Sequence, residues 1–119
     1  MLRILVVDDQ VDFRQAFAAM LDGQPDLEVV GQAGSLAEAL TMLEGIDVAI
    51  LDRDLPDGDG IGLLGPLREA NPDAKVFVMS ATAEMRHPDE AVEAGADGVI
   101  DKLAPFERAF AAIRGDGGR

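Results

Sequence analysis

Five times along this chain a short aliphatic run ends in a polar residue and is followed by a stretch patterned for a helix. The runs are Arg3 to Val7, Leu27 to Val30, Asp47 to Leu51, Lys75 to Met79, and the shorter Val99 to Asp101. Their apolar residues are nearly continuous rather than alternating, which reads as strands buried on both faces. Strands separated by helices pair in parallel, because a parallel connection needs a long crossover. Right-handed crossovers then wind helices onto both faces of one open sheet. The expected fold class is therefore α/β, a doubly wound parallel (βα)5 sheet.

The intervening stretches carry start and stop signals. Asp12 is the expected cap of the first helix, with Gln15 three residues on. Phe13, Ala16, Phe17, Met20 and Leu21 fall on one face. Gly23 and Pro25 end it. Ser35 and Glu38 form a capping box for a second helix burying Leu36, Ala39, Leu40 and Leu43 and stopped by Gly45. The third helix, over residues 61–70, contains Pro66. A proline beyond the first turn costs about 3 kcal/mol, so a kink or a late start is expected. Residues 84–94 read as a fourth helix, interrupted near its start by His87-Pro88. Pro105 opens a last helix with Phe106, Ala109, Phe110 and Ile113 on its apolar face. Residues 1–114 read as one domain, and the glycine-rich residues 115–119 as a linker stub or flexible tail.

In an open parallel sheet, ligands bind outside the carboxyl ends of the strands. Asp8 and Asp9 end the first strand, Asp52 the third, Ser80 the fourth and Lys102 the fifth. Three carboxylates at one edge repel each other, and a hard divalent cation relieves that. Magnesium fits, with Asp9 and Asp52 as direct ligands, Asp8 acting through water, and the backbone carbonyl of Asp54 as a third protein oxygen. Such a site suits a phosphoryl group. Asp52 would attack phosphorus and form an acyl phosphate. The metal and Lys102 would balance charge on the phosphoryl oxygens, and Ser80 would offer a hydroxyl. No general base is required, since a carboxylate is ionised near neutral pH.

Composition narrows the partners. The 119 residues carry a net charge of -13, which repels nucleic-acid backbones. With five Phe and neither Trp nor Tyr, a base-stacking platform is not expected. No cysteine is present, so disulfide and thiolate chemistry are excluded. No signal segment or membrane-spanning run is seen, and a cytoplasmic location is expected.

The set Asp8-Asp9, Asp52, Ser80 and Lys102 resembles that of response-regulator receiver domains of two-component systems. The stretch Asp52-Arg53-Asp54-Leu55-Pro56-Asp57-Gly58-Asp59-Gly60 is similar to their acceptor loop. Ala94-Gly95-Ala96-Asp97-Gly98 is similar to their approach to the fifth strand. The resemblance implies a flavodoxin-like sheet of strand order 2-1-3-4-5 and a phosphohistidine donor on a sensor histidine kinase or phosphotransfer protein. It also implies an output face made by the fourth and fifth helices and the fifth strand, open to homodimerisation, and Asp54 and Thr82 as positions that tune acyl-phosphate hydrolysis. Two departures stand out. Val99 occupies the place of the usual switch aromatic, and Leu103 rather than proline follows the lysine. Missing that proline is a trait of receivers joined to LuxR-type helix-turn-helix domains, so transcription regulation is the implied output. The resemblance implies a switch and not an enzyme.

Each residue also has a bland reading. Asp8-Asp9 alone suits a solvated turn, Asp52 or Ser80 a helix cap, and Lys102 a surface position. Asp54, Asp57 and Asp59 lack the EF-hand spacing and closing glutamate, and read as a solvated turn. His87, Glu90 and Glu93 read as exposed. Two other functions compete with a signalling switch. A dehalogenase-like phosphatase also uses an aspartyl nucleophile followed two residues later by aspartate, as in Asp52-Arg53-Asp54, but there the nucleophile ends the first strand and a cap domain is usual. A phosphorylation-independent interaction module rests on Val99 alone.

Overall fold

Alternating side chains of each central strand serve two separate cores. In β1 (Leu2–Val7), Ile4 and Val6 enter one core while Leu5 and Val7 enter the other. In β3 (Val48–Asp52), Val48 and Ile50 divide from Ala49 and Leu51 in the same way. Strands buried on both faces need continuous apolar runs, which is the pattern seen. The structure, a computed structural model, describes residues 1–80 and 95–115. The expected helix over 84–94, with Thr82, His87, Glu90 and Glu93, lies outside the described residues.

The remaining elements are α1 (Val11–Asp22), β2 (Leu27–Ala33), α2 (Leu36–Ala39), β4 (Asp54–Leu55), β5 (Gly58–Asp59), α3 (Leu64–Ala70), β6 (Lys75–Ser80), β7 (Gly98–Asp101) and α4 (Phe106–Arg114). Five strands form a parallel sheet in the order β2-β1-β3-β6-β7, and β4 and β5 form a small antiparallel hairpin. With the hairpin set aside, this is the expected order 2-1-3-4-5. Phe17, Leu21, Phe110 and Ile113 cover one face from α1 and α4. Ala39, Leu63, Leu64 and Leu67 help to cover the other.

Local expectations need correction in several places. Gln10, not Asp12, stands at the cap of α1; Asp12 lies in its first turn. The buried stripe of α1 holds Phe17, Ala18 and Leu21, whereas Ala16 and Met20 are exposed. The face is rotated because Phe13 and Phe17 meet Phe106 of α4 in one aromatic cluster, with ring centroids 5.3–6.2 Å apart. β2 runs past Gly31 to Ala33, and its pairing with β1 skips Val30. α2 has only four helical residues, and Leu40, expected in the core, is half exposed. Pro66 causes a late start: a 3-10 turn over Gly60–Leu63 precedes α3, whose third residue is Pro66. In that first turn its missing N–H leaves no helical carbonyl unserved. Pro105 caps α4 one residue before the helix, and Gly115 ends it with a left-handed φ of 82°.

Candidate functional site

Register places the acidic residues side by side. Val7 of β1 pairs with Leu51 of β3, so the next residues, Asp8 and Asp52, are neighbours at the carboxyl edge. Ser80 of β6 pairs with Asp101 of β7, which sets Lys102 one residue beyond the same edge. Asp8, Asp52 and Ser80 are buried, while Asp9 is exposed.

Lys102 is the counter-charge. Its Nζ lies 2.8 Å from Asp8 Oδ2 and 3.0 Å from Asp52 Oδ2. The same ammonium donates to Gln10 Oε1 at 2.6 Å and sits 4.8 Å from the centre of the Phe13 ring. Burial works against its charge, but the carboxylates of Asp8 and Asp52 outweigh that and raise its pKa above the ordinary lysine value. The lysine is thus a fixed cation held by four groups, from β3, from α1 and from the turn between β1 and α1.

Asp52 has the opposite difficulty. Burial is the main cause that raises its carboxyl above the ordinary value, and the Asp8 charge adds to it. The Asp54 N–H, which donates to Asp52 Oδ1 at 3.1 Å, and Lys102 pull the other way without cancelling it. On Asp8, the other oxygen accepts from Gln10 N–H at 2.8 Å. Arg14 donates to the Asp8 carbonyl at 3.0 Å, steadying the turn that carries the acidic pair.

The residues fit a divalent cation. One carboxylate oxygen each from Asp8, Asp9 and Asp52 can be chosen so that all lie within 4.8 Å of one another. One ammonium against three carboxylates leaves net negative charge at the edge, and the donors are all hard oxygens. Beside them opens a cleft of about 450 Å³ lined by Asp9, Arg53, Asp54, Leu55, Pro56, Gly58, Asp59 and Ser80.

The acidic loop after Asp52 is exposed at Asp54, Asp57 and Asp59, as its composition suggests, but it is ordered beyond a plain turn. It folds as the β4–β5 hairpin, pairing Asp54 with Asp59 and Leu55 with Gly58. Asp59 receives Arg53 Nη2 at 2.8 Å and the Ile61 N–H at 3.0 Å. Burial raises the Asp59 carboxyl, but these partners outweigh it and hold it below the ordinary range. Asp57 accepts from the Leu36 and Ala37 N–H groups.

The structure thus brings together Asp8, Asp9, Asp52 and Lys102, with Ser80 at the same edge and lining the adjacent cleft. Asp54 is exposed at the rim. Val99 pairs with Val78, packs against the Val78–Ala96 cluster and lies three residues before Lys102. Sequence reasoning missed Gln10, Arg14 and Phe13 as neighbours of the site. A glutamine directly after an acidic pair that opens a helix was the available signal for Gln10. Nothing local distinguished Arg14 from a surface charge.

Comparison with known proteins places the chain in a family. The family model of the response regulator receiver domain matches residues 4–114. This chain belongs to the response regulator receiver family. It is 36% identical over 104 residues to the DNA-binding transcriptional activator DevR/DosR of Mycobacterium tuberculosis, covering 86% of this chain and 48% of the relative. It superposes with a TM-score of 0.83 on a response regulator receiver domain protein (CheY-like) from Methanospirillum hungatei, at 26% identity, covering 97% of this chain and 92% of the other. A response regulator from Burkholderia pseudomallei, with a phosphorylated aspartic acid, a calcium ion and citrate, matches at a TM-score of 0.79 and 28% identity, covering 95% and 66%. The receiver spans about half the length of the transcriptional regulators it matches. Membership sets it apart from the dehalogenase-like phosphatases. No helix among the described residues is long and apolar enough to cross a membrane.

Proposed function

We propose that Asp52 is the phosphoryl acceptor of this receiver. The supporting observation is the pairing of a buried Asp52 with Lys102 at 3.0 Å beside Asp8 and Asp9. In the reaction, an Asp52 carboxylate oxygen attacks phosphorus. The bond from phosphorus to the donor imidazole nitrogen breaks, and the imidazole takes a proton from solvent. The donor is a phosphohistidine on a sensor kinase or phosphotransfer protein. Magnesium would be the cofactor, with Asp9, Asp52, Asp8 and the Asp54 carbonyl as the oxygens that would hold it. When bound, it offsets negative charge on the phosphoryl oxygens. Lys102 turns its ammonium from Asp52 to one phosphoryl oxygen, and Ser80 donates its hydroxyl to another. Asp54 and Thr82 tune hydrolysis of the acyl phosphate.

Residues 1–114 form the receiver. The output is transcription regulation through a LuxR-type DNA-binding domain, with homodimerisation through the face that includes β7 and α4. The receiver itself does not bind nucleic acid or membrane, works in the cytoplasm, and performs no catalysis beyond its own phosphorylation and slow dephosphorylation. With no aromatic at Val99, the packing of Val99 against Val78 and Ala96 carries the change to the output face.

The test is intact mass after incubation with acetyl phosphate, with and without Mg2+. Wild type should gain one phosphoryl group only with Mg2+, and Asp52→Asn should gain none. An unmodified wild type, or equal modification of Asp52→Asn, would overturn the assignment.

A further inference from the structure

We infer that Asp57 is a positioning residue of the metal site, tethering the acceptor hairpin to the start of α2 so that Asp54 stays beside Asp52 and Asp9. The inference rests on the receiver reading above. Asp57 sits at the turn of the β4–β5 hairpin. Its Oδ1 accepts the Leu36 N–H at 2.8 Å and its Oδ2 accepts the Ala37 N–H at 3.1 Å. Both donors belong to the first turn of α2, where backbone N–H groups have no partner within the helix. α2 has only four residues, and Ser35 Oγ serves a third donor, the Glu38 N–H. The capping carboxylate therefore comes from 20 and 21 residues downstream, out of the loop that follows the acceptor.

A second observation shows how closely the hairpin turn approaches α2. Gly58, next to Asp57, has φ of +148°, and a Cβ there would lie 2.8 Å from Leu36 Cδ1. The hairpin turn and the Leu36 side chain of α2 are therefore in close contact, and Gly58 carries the left-handed φ that the turn requires. At its base the hairpin is held by its own neighbours: Arg53 pairs with Asp59, and the Gly60 N–H donates to the Arg53 carbonyl at 3.0 Å. Those bonds join the loop to itself. The Asp57 bonds join it to a separate element that packs on the sheet through buried Ala39. Between base and tip lies Asp54, whose N–H already holds Asp52 Oδ1 and whose carbonyl is the proposed third protein ligand. Groups that orient a metal ligand affect affinity as well as fold.

A cap that mattered only to α2 would change stability and leave metal affinity alone. The tether predicts coupling, and coupling is reciprocal. The experiment is amide NMR of the whole chain with Mg2+ titrated. In wild type, Mg2+ should slow hydrogen exchange at the Leu36 and Ala37 amides. In Asp57→Ala the dissociation constant for Mg2+ should rise about 3- to 10-fold, less than the roughly 10- to 100-fold typical when a direct outer partner of a ligand is removed. Asp57→Asn keeps one carboxamide oxygen and should fall between. Gly58→Ala pushes the same contact apart from the other side and should weaken Mg2+ in the same direction, which gives a second variant should Asp57→Ala fail to fold. Wild-type Mg2+ affinity in Asp57→Ala with lost protection at Leu36 and Ala37 would overturn the inference and leave the receiver reading intact. A wild type without Mg2+-dependent shifts would overturn the receiver reading of the site, and the tether with it.

Discussion

Asp52 has conflicting demands on its charge. A nucleophile must be ionised, yet burial drives this carboxyl toward its neutral form. In the metal-free protein the ionised Asp52 is therefore a cost to the fold. Its folded pKa lies above the unfolded one, so the folded state holds more protons over the interval between them. Stability then falls as pH rises through that interval, and the full cost is present above the folded pKa. Asp52→Asn removes the charge while Lys102 keeps Asp8 and Gln10. The amide also turns an N–H2 toward a former donor, which offsets part of the gain. We expect Asp52→Asn to be more stable than wild type by roughly 1 kcal/mol near neutral pH. The gap should close as pH falls through the Asp52 pKa. Urea denaturation followed by circular dichroism across that pH range checks both, and a gap independent of pH would refute the account. The trade is a familiar one at functional sites, where charge needed for chemistry is held against the preference of the fold.

At the scale of elements, the loop after β3 is built against the backbone of the acceptor itself. A Cβ on Gly60 would stand 2.1 Å from the Asp52 carbonyl oxygen, which is backbone and cannot turn aside. Gly60→Ala must move the acceptor strand or the 3-10 turn, and should cost more than about 2 kcal/mol. Gly62, two residues on, has open space where a Cβ would stand, with no atom within 4 Å, so Gly62→Ala should be neutral or stabilising by about 0.5 kcal/mol. Chemical denaturation of the pair checks the contrast, and equal costs would sink it. Gly60 also shows what the sequence could and could not disclose. Strands were legible because burial on two faces demands continuous aliphatic runs, and the edge residues followed from where those runs stop. The shortness of α2 was not legible, since Leu36, Ala39, Leu40 and Leu43 keep a helical spacing after the helix has ended. The hairpin was hidden too. Asp57 is exposed and looks like free surface charge until its partners are known, because the donors at Leu36 and Ala37 lie far back in the chain. Local signals locate ends of elements; they do not reveal which distant group will serve an unpaired N–H.

Across the whole molecule, a net charge of -13 means that any salt should help the fold by screening self-repulsion. Magnesium would therefore stabilise this protein even without a specific site, and raised stability in Mg2+ alone proves little. The two contributions differ in form. Screening depends on ionic strength and is spread over the surface. Binding at Asp9, Asp8 and Asp52 follows occupancy and stabilises by RT ln(1 + [Mg2+]/Kd), roughly 2.7 kcal/mol at a free concentration of about 100 times Kd. Asp9 separates them, because its exposed carboxylate can be neutralised without disturbing the buried Asp8–Lys102–Asp52 group. At fixed ionic strength set by KCl, adding Mg2+ should raise the stability of wild type along the binding curve. In Asp9→Asn that gain should shrink to a small fraction, while the response to KCl alone stays close to wild type. Thermal or urea unfolding in matched buffers checks the prediction. Equal Mg2+ gains in both proteins would place the stabilisation in the overall field of the surface and not at the carboxyl edge of the sheet.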